Sequence, residues 1–76
     1  MTLEQMGFVE ERIDNRVLYH RPKMLNDYHE WIEFNLTYKE IELINIDSID
    51  MMLLASIYAK AKELFEWEKY YLEVKG

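Results

Sequence analysis

The residues of this chain that could do chemistry lie between Trp31 and Ile46, where carboxylates alternate with apolar side chains. Such alternation predicts two β-strands whose successive side chains point to opposite faces of a sheet. The face turned away from the core carries both kinds of side chain: Trp31, Glu33, Glu40, Glu42, Ile44 and Ile46. A tryptophan inside a polar rim is typical of an interface hot spot, so we expect these six residues to bind a partner. Ordinary cross-strand packing of Trp31 on Ile46 is the alternative interpretation.

The negative charge of the chain is concentrated in the same region. The net charge is −6, and residues 30–50 contain six Asp or Glu residues with Lys39 as the one base. Direct contact with a nucleic-acid backbone is disfavoured, because it requires clustered Lys and Arg. A basic protein surface, such as one that normally holds nucleic acid, would be attracted instead. The expected partner is therefore a protein.

Catalytic and metal-binding motifs are weak in this sequence. Glu33, Glu40 and Glu42 could do acid–base work only in a cleft that raises the pKa of one of them. His20 and His29 lie in different predicted segments, without a carboxylate at ligand spacing, which predicts ordinary surface histidines. The chain has no Cys and two Gly, which excludes a thiolate site and a glycine-rich phosphate loop. We expect a non-enzymatic protein without a metal or cofactor.

Basic residues cluster around the first predicted hairpin. They are Arg12, Arg16, Arg21 and Lys23. A solvated sheet edge that discourages aggregation is the simple interpretation. These residues could also pair with the acidic hairpin and neutralise part of its charge. Arg12, Arg16 and Arg21, together with Tyr19 and the C-terminal aromatics, suggest an alternative function, an oligomeric sponge for a signalling nucleotide. A structural or assembly protein is a further alternative.

Two hairpins are predicted to position these side chains. The first joins residues 8–13 to residues 16–21 through the turn formers Asp14 and Asn15, and Pro22 ends it. The second has Tyr38 and Lys39 at its turn, which sets Leu36 opposite Ile41. Its buried face then carries the apolar side chains Ile32, Phe34, Leu36, Ile41 and Leu43. Because Tyr-Lys suits a two-residue turn poorly, a longer loop with a similar register remains open.

A long helix is predicted to follow, over residues 48–72. Asp47 or Ser48 would cap it, and Asp50 would suit its first turn. Apolar residues recur every three or four positions as a core stripe: Ile49, Leu53, Ile57, Ala61, Leu64, Trp67 and Tyr71. The helix is longer than the strands, so its aromatic end would overhang the sheet. Such an exposed cluster predicts folding over the sheet edge or a homodimer interface through Phe65, Trp67, Tyr70 and Tyr71.

Together these elements predict one α+β domain over residues 1–76. Its four-stranded antiparallel sheet of two β-hairpins (about 8–46) would carry one long C-terminal helix (about 48–72) on one face. The sequence shows neither a signal-peptide pattern nor an apolar run of the roughly 20 residues that span a bilayer. We therefore expect a soluble, cytoplasmic protein without membrane contact.

Three segments resemble a group of short uncharacterised proteins of phages, prophages and mobile elements of Gram-positive bacteria. They are the opening "LEQMGF", the hairpin "WIEFNLTYKEIEL" and the helical "LLASIYAKAKEL". The aromatic tail over residues 65–74 departs from that group, whose members end soon after the last segment. The resemblance implies a protein that acts stoichiometrically on a host target, including restriction, CRISPR and cyclic-nucleotide defence systems. It assigns no binding residues.

Overall fold

The computed structural model describes residues 1–22 and 28–65. These residues form an α+β fold of four antiparallel strands and one helix. The elements are β1 (Val9–Ile13), β2 (Arg16–Pro22), β3 (His29–Asn35), β4 (Glu40–Ile44) and α1 (Met51–Phe65). The predicted fold class is confirmed.

The sheet is a meander with the strand order β1-β2-β3-β4, so each strand pairs with its neighbour along the chain. In the first hairpin Ile13 pairs with Arg16 across the predicted two-residue turn. Asp14 takes a left-handed backbone there, with φ of 54°, which aspartate tolerates better than most residues. Pro22 is the last residue of β2, as a residue without a backbone donor should be.

The second hairpin uses a longer loop than the predicted two-residue turn. Phe34 pairs with Ile41 and Ile32 with Leu43, which shifts the predicted register by two residues. The side chain of Asn35 explains the longer loop, because its Oδ1 accepts hydrogen bonds from the backbone N–H groups of Thr37 and Tyr38, both at 3.0 Å. A shift of two residues keeps the side chains within β3 and β4 on their predicted faces. Leu43 was predicted to be buried but is 40% exposed, because β4 is an edge strand of the sheet.

The core lies between one face of the sheet and α1. Its buried side chains come from the N-terminal segment, β2, β3 and α1: Leu3, Phe8, Val17, Tyr19, Ile32, Phe34, Leu53, Ile57, Ala61 and Phe65. The Phe34 and Phe65 rings meet edge to face at 6.0 Å between centroids. Leu53, Ile57 and Ala61 confirm the predicted helical stripe, while Ile49 is 38% exposed and precedes the helix.

Helix α1 begins at Met51, three residues later than predicted. Asp50 is the capping residue, since the backbone N–H of Leu53 donates to its Oδ1 at 2.8 Å. Asp47 and Ser48, the predicted caps, instead lie in the segment that leads from β4 to the helix. The predicted helical continuation to residue 72 lies outside the described residues.

The N-terminal segment forms a turn that closes one side of the core. Thr2 and Gln5 cap each other: the N–H of Gln5 donates to Thr2 Oγ1 at 3.1 Å, and the N–H of Thr2 donates to Gln5 Oε1 at 2.8 Å. Gly7 ends the turn with φ of 97°, a backbone conformation that glycine adopts without steric cost. This turn directs Leu3 and Phe8 into the core.

Candidate functional site

The sheet face opposite α1, called the outer face below, is the candidate site. Cross-strand pairing arranges its side chains in three rows: Val9, His20, Trp31 and Ile44; Glu11, Leu18, Glu33 and Glu42; Ile13, Arg16, Asn35 and Glu40. His29 lies beside the first row, on the same face at the start of β3, where it pairs with Pro22. Val9 is 57% exposed and Ile44 38% exposed, so this face presents apolar surface among its charges.

Trp31 lies in an aromatic cluster with the two histidines. The His20 ring stacks on Trp31 with 4.5 Å between centroids and 25° between planes. His29 contacts both, at 5.3 Å from the His20 ring and 6.3 Å from the Trp31 ring. All three side chains are half-buried, so the cluster holds Trp31 in one orientation while part of it remains accessible.

A carboxylate orients the cluster from the neighbouring strand. Glu11 Oε1 lies 3.1 Å from His20 Nε2, at hydrogen-bond distance. The opposite ring nitrogen, His20 Nδ1, faces His29 Nδ1 at 3.2 Å. Because the carboxylate accepts, a neutral His20 carries its proton on Nε2 and directs the free lone pair of Nδ1 toward His29.

Next to the cluster lies an open acidic depression of about 340 Å³. Its lining consists of Arg16, Glu33, Asn35, Glu40, Ile41 and Glu42. Arg16 pairs with Glu33 at 3.2 Å, which confirms that the basic cluster neutralises part of the acidic hairpin. Glu42 lies directly across the strand pair from Glu33, and within the described part of the chain neither Glu40 nor Glu42 forms an ion pair.

Most of the predicted partner-binding residues share this face. Trp31, Glu33, Glu42 and Ile44 occupy its first two rows, and Glu40 lies at its end. Ile46 does not belong to the set: it lies beyond β4, where the strand periodicity no longer applies, and it packs against the core. The alternative pairing of Trp31 with Ile46 is also wrong, since Trp31 lies opposite His20 and Ile44.

One residue of the predicted homodimer interface, Phe65, lies in the core. Phe65 is 2% exposed and contacts Phe34 in the core, so it cannot contribute to an interface. It is buried because the helical stripe continues from Ala61 to residue 65. Trp67, Tyr70 and Tyr71 lie outside the described residues.

The residues proposed for a nucleotide sponge do not converge. Tyr19 is 1% exposed in the core, and Arg16 lies on the outer face. Arg21 lies on the core side of the sheet, where it donates to Glu30 Oε1 at 2.8 Å and to the Met6 carbonyl at 2.7 Å. Arg12 pairs with Glu10 at 3.1 Å. These cations are thus divided between the two faces of the sheet.

Sequence reasoning missed the contributions of His20, His29 and Glu11. The signal was available in the strand register: once β2 pairs with β3 at Pro22, His20 must lie opposite Trp31 and diagonally next to His29. Without the knowledge that these two strands are neighbours, the histidines looked unrelated.

Residues 1–22 and 28–65 contain neither a cluster of three or more metal ligands nor a membrane-spanning helix. In these residues no group of three or more His, Cys, Asp or Glu side chains could hold a metal ion. In the same part of the chain, the one helix lacks the length and apolar character needed to cross a membrane.

Comparison with known proteins gives no match, whether with protein-family models, curated proteins or solved structures. The resemblance of the three sequence segments to phage and prophage proteins stays a prediction. Support for a function therefore comes from the geometry of the outer face.

Proposed function

We propose that this protein is a non-enzymatic binding protein that inhibits or modulates a host protein through its outer face. The partner is a basic protein surface, of the kind that otherwise contacts nucleic acid, and binding takes place in the host cytoplasm. Occupying that surface would exclude nucleic acid without any chemical step. In keeping with the phage resemblance, the partner would belong to a defence system.

The observation that carries this proposal is the pairing of Glu33 with Glu42. Like charges directly opposite each other weaken a strand pair by roughly 0.2–1 kcal/mol. Arg16 contacts Glu33 but leaves Glu42 and Glu40 without a cation in the described chain. A basic partner would supply the missing countercharge, so binding would relieve a repulsion that the free protein retains.

Apolar anchors next to these carboxylates support a protein partner. Trp31 is half-buried against His20, Ile44 lies next to it on β4, and Val9 lies on the far side of His20 in the same row. A tryptophan held in a fixed orientation loses little conformational entropy on binding. Truncating such a central tryptophan typically costs about 2 kcal/mol or more of binding free energy.

The charges also supply a mechanism for fast capture. Glu11, Glu33, Glu40 and Glu42 place four carboxylates on a face with one arginine, Arg16. A negative field of this kind increases the association rate with a basic partner, and salt screens it. The same field repels free nucleic acid, which leaves the partner's basic surface as the favoured target.

The test is affinity capture from a Gram-positive host with a histidine-free tag. Trp31→Ala and Glu42→Lys should each reduce retention of the partner at least tenfold, and the retained partner should lose its nucleic-acid binding when wild-type protein is added. Tyr58→Ala is the matched control for the first variant, because Tyr58 is a 57% exposed aromatic residue on α1. Glu63→Lys is the control for the second, since it makes the same charge change on the helix.

Equal retention by wild type, Trp31→Ala and Glu42→Lys would show that the outer face is not the binding surface. Loss of retention in the α1 controls would move the interface to the helix. A partner that keeps its nucleic-acid binding in the complex would contradict the inhibitory mechanism.

A further inference from the structure

We propose that His20 and His29 form a binding site for a late first-row divalent metal ion, with Zn²⁺ as the ion whose geometry fits. The inference rests on these two histidines and not on the proposed function, although the site lies on the same outer face. It uses the two imidazoles of the aromatic cluster as ligands and Glu11 as the residue that orients one of them.

The distance between the two imidazole nitrogens carries the proposal. His20 Nδ1 and His29 Nδ1 are 3.2 Å apart. Two nitrogens bound at about 2.0–2.1 Å to a tetrahedral Zn²⁺ stand roughly 3.3–3.4 Å from each other. The described structure thus places two ligand atoms close to the separation that one shared ion requires.

The tautomer of His20 also fits metal binding. Glu11 Oε1 lies 3.1 Å from His20 Nε2, so a neutral His20 that donates to this carboxylate has a free lone pair on Nδ1. An ion beside the line between the two Nδ1 atoms would replace their hydrogen bond, with the His29 proton on its Nε2. Metal-binding histidines generally donate their second ring nitrogen to a carboxylate or carbonyl in this way, which raises their basicity. The Glu11 carboxylate takes the place of that second-nitrogen acceptor for His20.

Packing preorganises the first ligand. The His20 side chain is 16% exposed, and its ring stacks on Trp31. A ligand whose rotamer is already fixed loses less conformational entropy when it binds an ion. Glu11, Glu33 and Glu42 form the next row of the same face, and their negative field favours a cation there.

The site is open on its remaining sides. Among the described residues no third His, Cys, Asp or Glu completes the group, so water or a ligand from a bound partner would take the other positions. Two imidazoles are suited to Zn²⁺, Ni²⁺ and Cu²⁺ rather than to Mg²⁺ or Ca²⁺, which prefer oxygen ligands. The site should therefore bind Zn²⁺, Ni²⁺ or Cu²⁺ and should not bind Mg²⁺ or Ca²⁺.

The experiment is calorimetric titration of the untagged protein with Zn²⁺ and, separately, with Mg²⁺. The chain has two His and no Cys, so imidazole-dependent binding can be assigned without ambiguity. We expect one Zn²⁺ per chain and no Mg²⁺ binding. His20→Ala and His29→Ala should each lower the Zn²⁺ affinity at least tenfold, and Glu11→Gln should lower it about tenfold. Glu63→Gln is the matched control, because Glu63 is an exposed residue of α1 away from the outer face, and it should leave the affinity unchanged.

A second measurement uses the wild type alone, in case a histidine variant does not fold. In nuclear magnetic resonance spectra, Zn²⁺ should shift the Nδ1 signals of both imidazoles together at one equivalent. Absence of a shift, or a shift in only one ring, would overturn the site and leave a hydrogen bond between two neutral imidazoles. Equal affinity in wild type and His29→Ala would also overturn it, because the carboxylates would then bind the ion.

Discussion

Glu42 lies directly opposite Glu33, and the repulsion between the two carboxylates lowers the stability of the strand pair. Replacing Glu42 by lysine converts its pairing with Glu33 from repulsive to attractive. We predict that Glu42→Lys increases the free energy of unfolding by about 0.5 kcal/mol in urea denaturation, while it weakens partner capture.

The matched control for this change is Glu40→Lys. Glu40 is also exposed on β4, but its cross-strand neighbour is the neutral Asn35. The same charge reversal should therefore give no gain in stability. Equal gains from both variants would indicate a general effect of net charge and not of the Glu33–Glu42 pair.

Tyr19 makes stability depend on pH in the alkaline range. Burial raises the pKa of Tyr19 to about 12, from a model-compound value of 10.0. The unfolded chain therefore loses this proton at lower pH than the folded protein does. The contribution of Tyr19 to the free energy of unfolding is fully present below pH 10. It is lost as the pH rises toward 12, and the total loss is about 2–3 kcal/mol.

Unfolding by urea at pH 9 and pH 11 measures this effect, with Tyr19→Phe as the comparison. The variant loses the hydrogen bond from the Tyr19 hydroxyl to Glu10 Oε1 and should be less stable at pH 9. It should also lose less stability than wild type between the two pH values. Parallel pH profiles would show that Tyr19 does not titrate as its burial requires.

At the scale of the element, the start of α1 depends on Asp50. The carboxylate accepts from the N–H of Leu53, so Asp50→Ala should reduce the free energy of unfolding by about 1 kcal/mol. Ser48→Ala is the control, because Ser48 is an exposed residue that precedes the helix, and it should change stability by less than about 0.5 kcal/mol. The opposite ranking, in chemical denaturation, would place the helix start where the sequence pattern predicted it.

The strands and their faces could be predicted because the alternation of apolar and polar residues along a strand indicates which side chains are buried. Ile32 and Phe34 are fully buried while Trp31 and Glu33 lie on the other face, as their spacing indicates. The observed register differs from the predicted one by two residues because the Asn35 side chain accepts hydrogen bonds from N–H groups of the loop. A single capping side chain leaves no periodic pattern in the sequence, so the longer loop could not be predicted. Local side-chain hydrogen bonds of this kind set loop length without changing the hydrophobic pattern.

At the scale of the whole molecule, the order of the strands in the sheet could not be predicted from the sequence. Both hairpins were predictable, but not which edges they share. The pairing of β2 with β3 brings His20 to Trp31 and His29, and Arg16 to Glu33. Only long-range pairing creates these contacts, so the charge of the outer face could be predicted and its histidine cluster could not. Ile46 was assigned wrongly because it lies beyond the end of β4, and Phe65 because it continues the buried stripe of α1.

The meander order also determines how this chain can fold. Every strand pairs with its predecessor, so the sheet needs only short loop closures, and chains dominated by such local contacts fold quickly. The helix packs on one face of the sheet and is the last element in the described part of the chain. Without the helix, the apolar side chains of β2 and β3 would be covered only in part, by the N-terminal segment. Conditions that loosen α1 should therefore increase aggregation before they disrupt the strands.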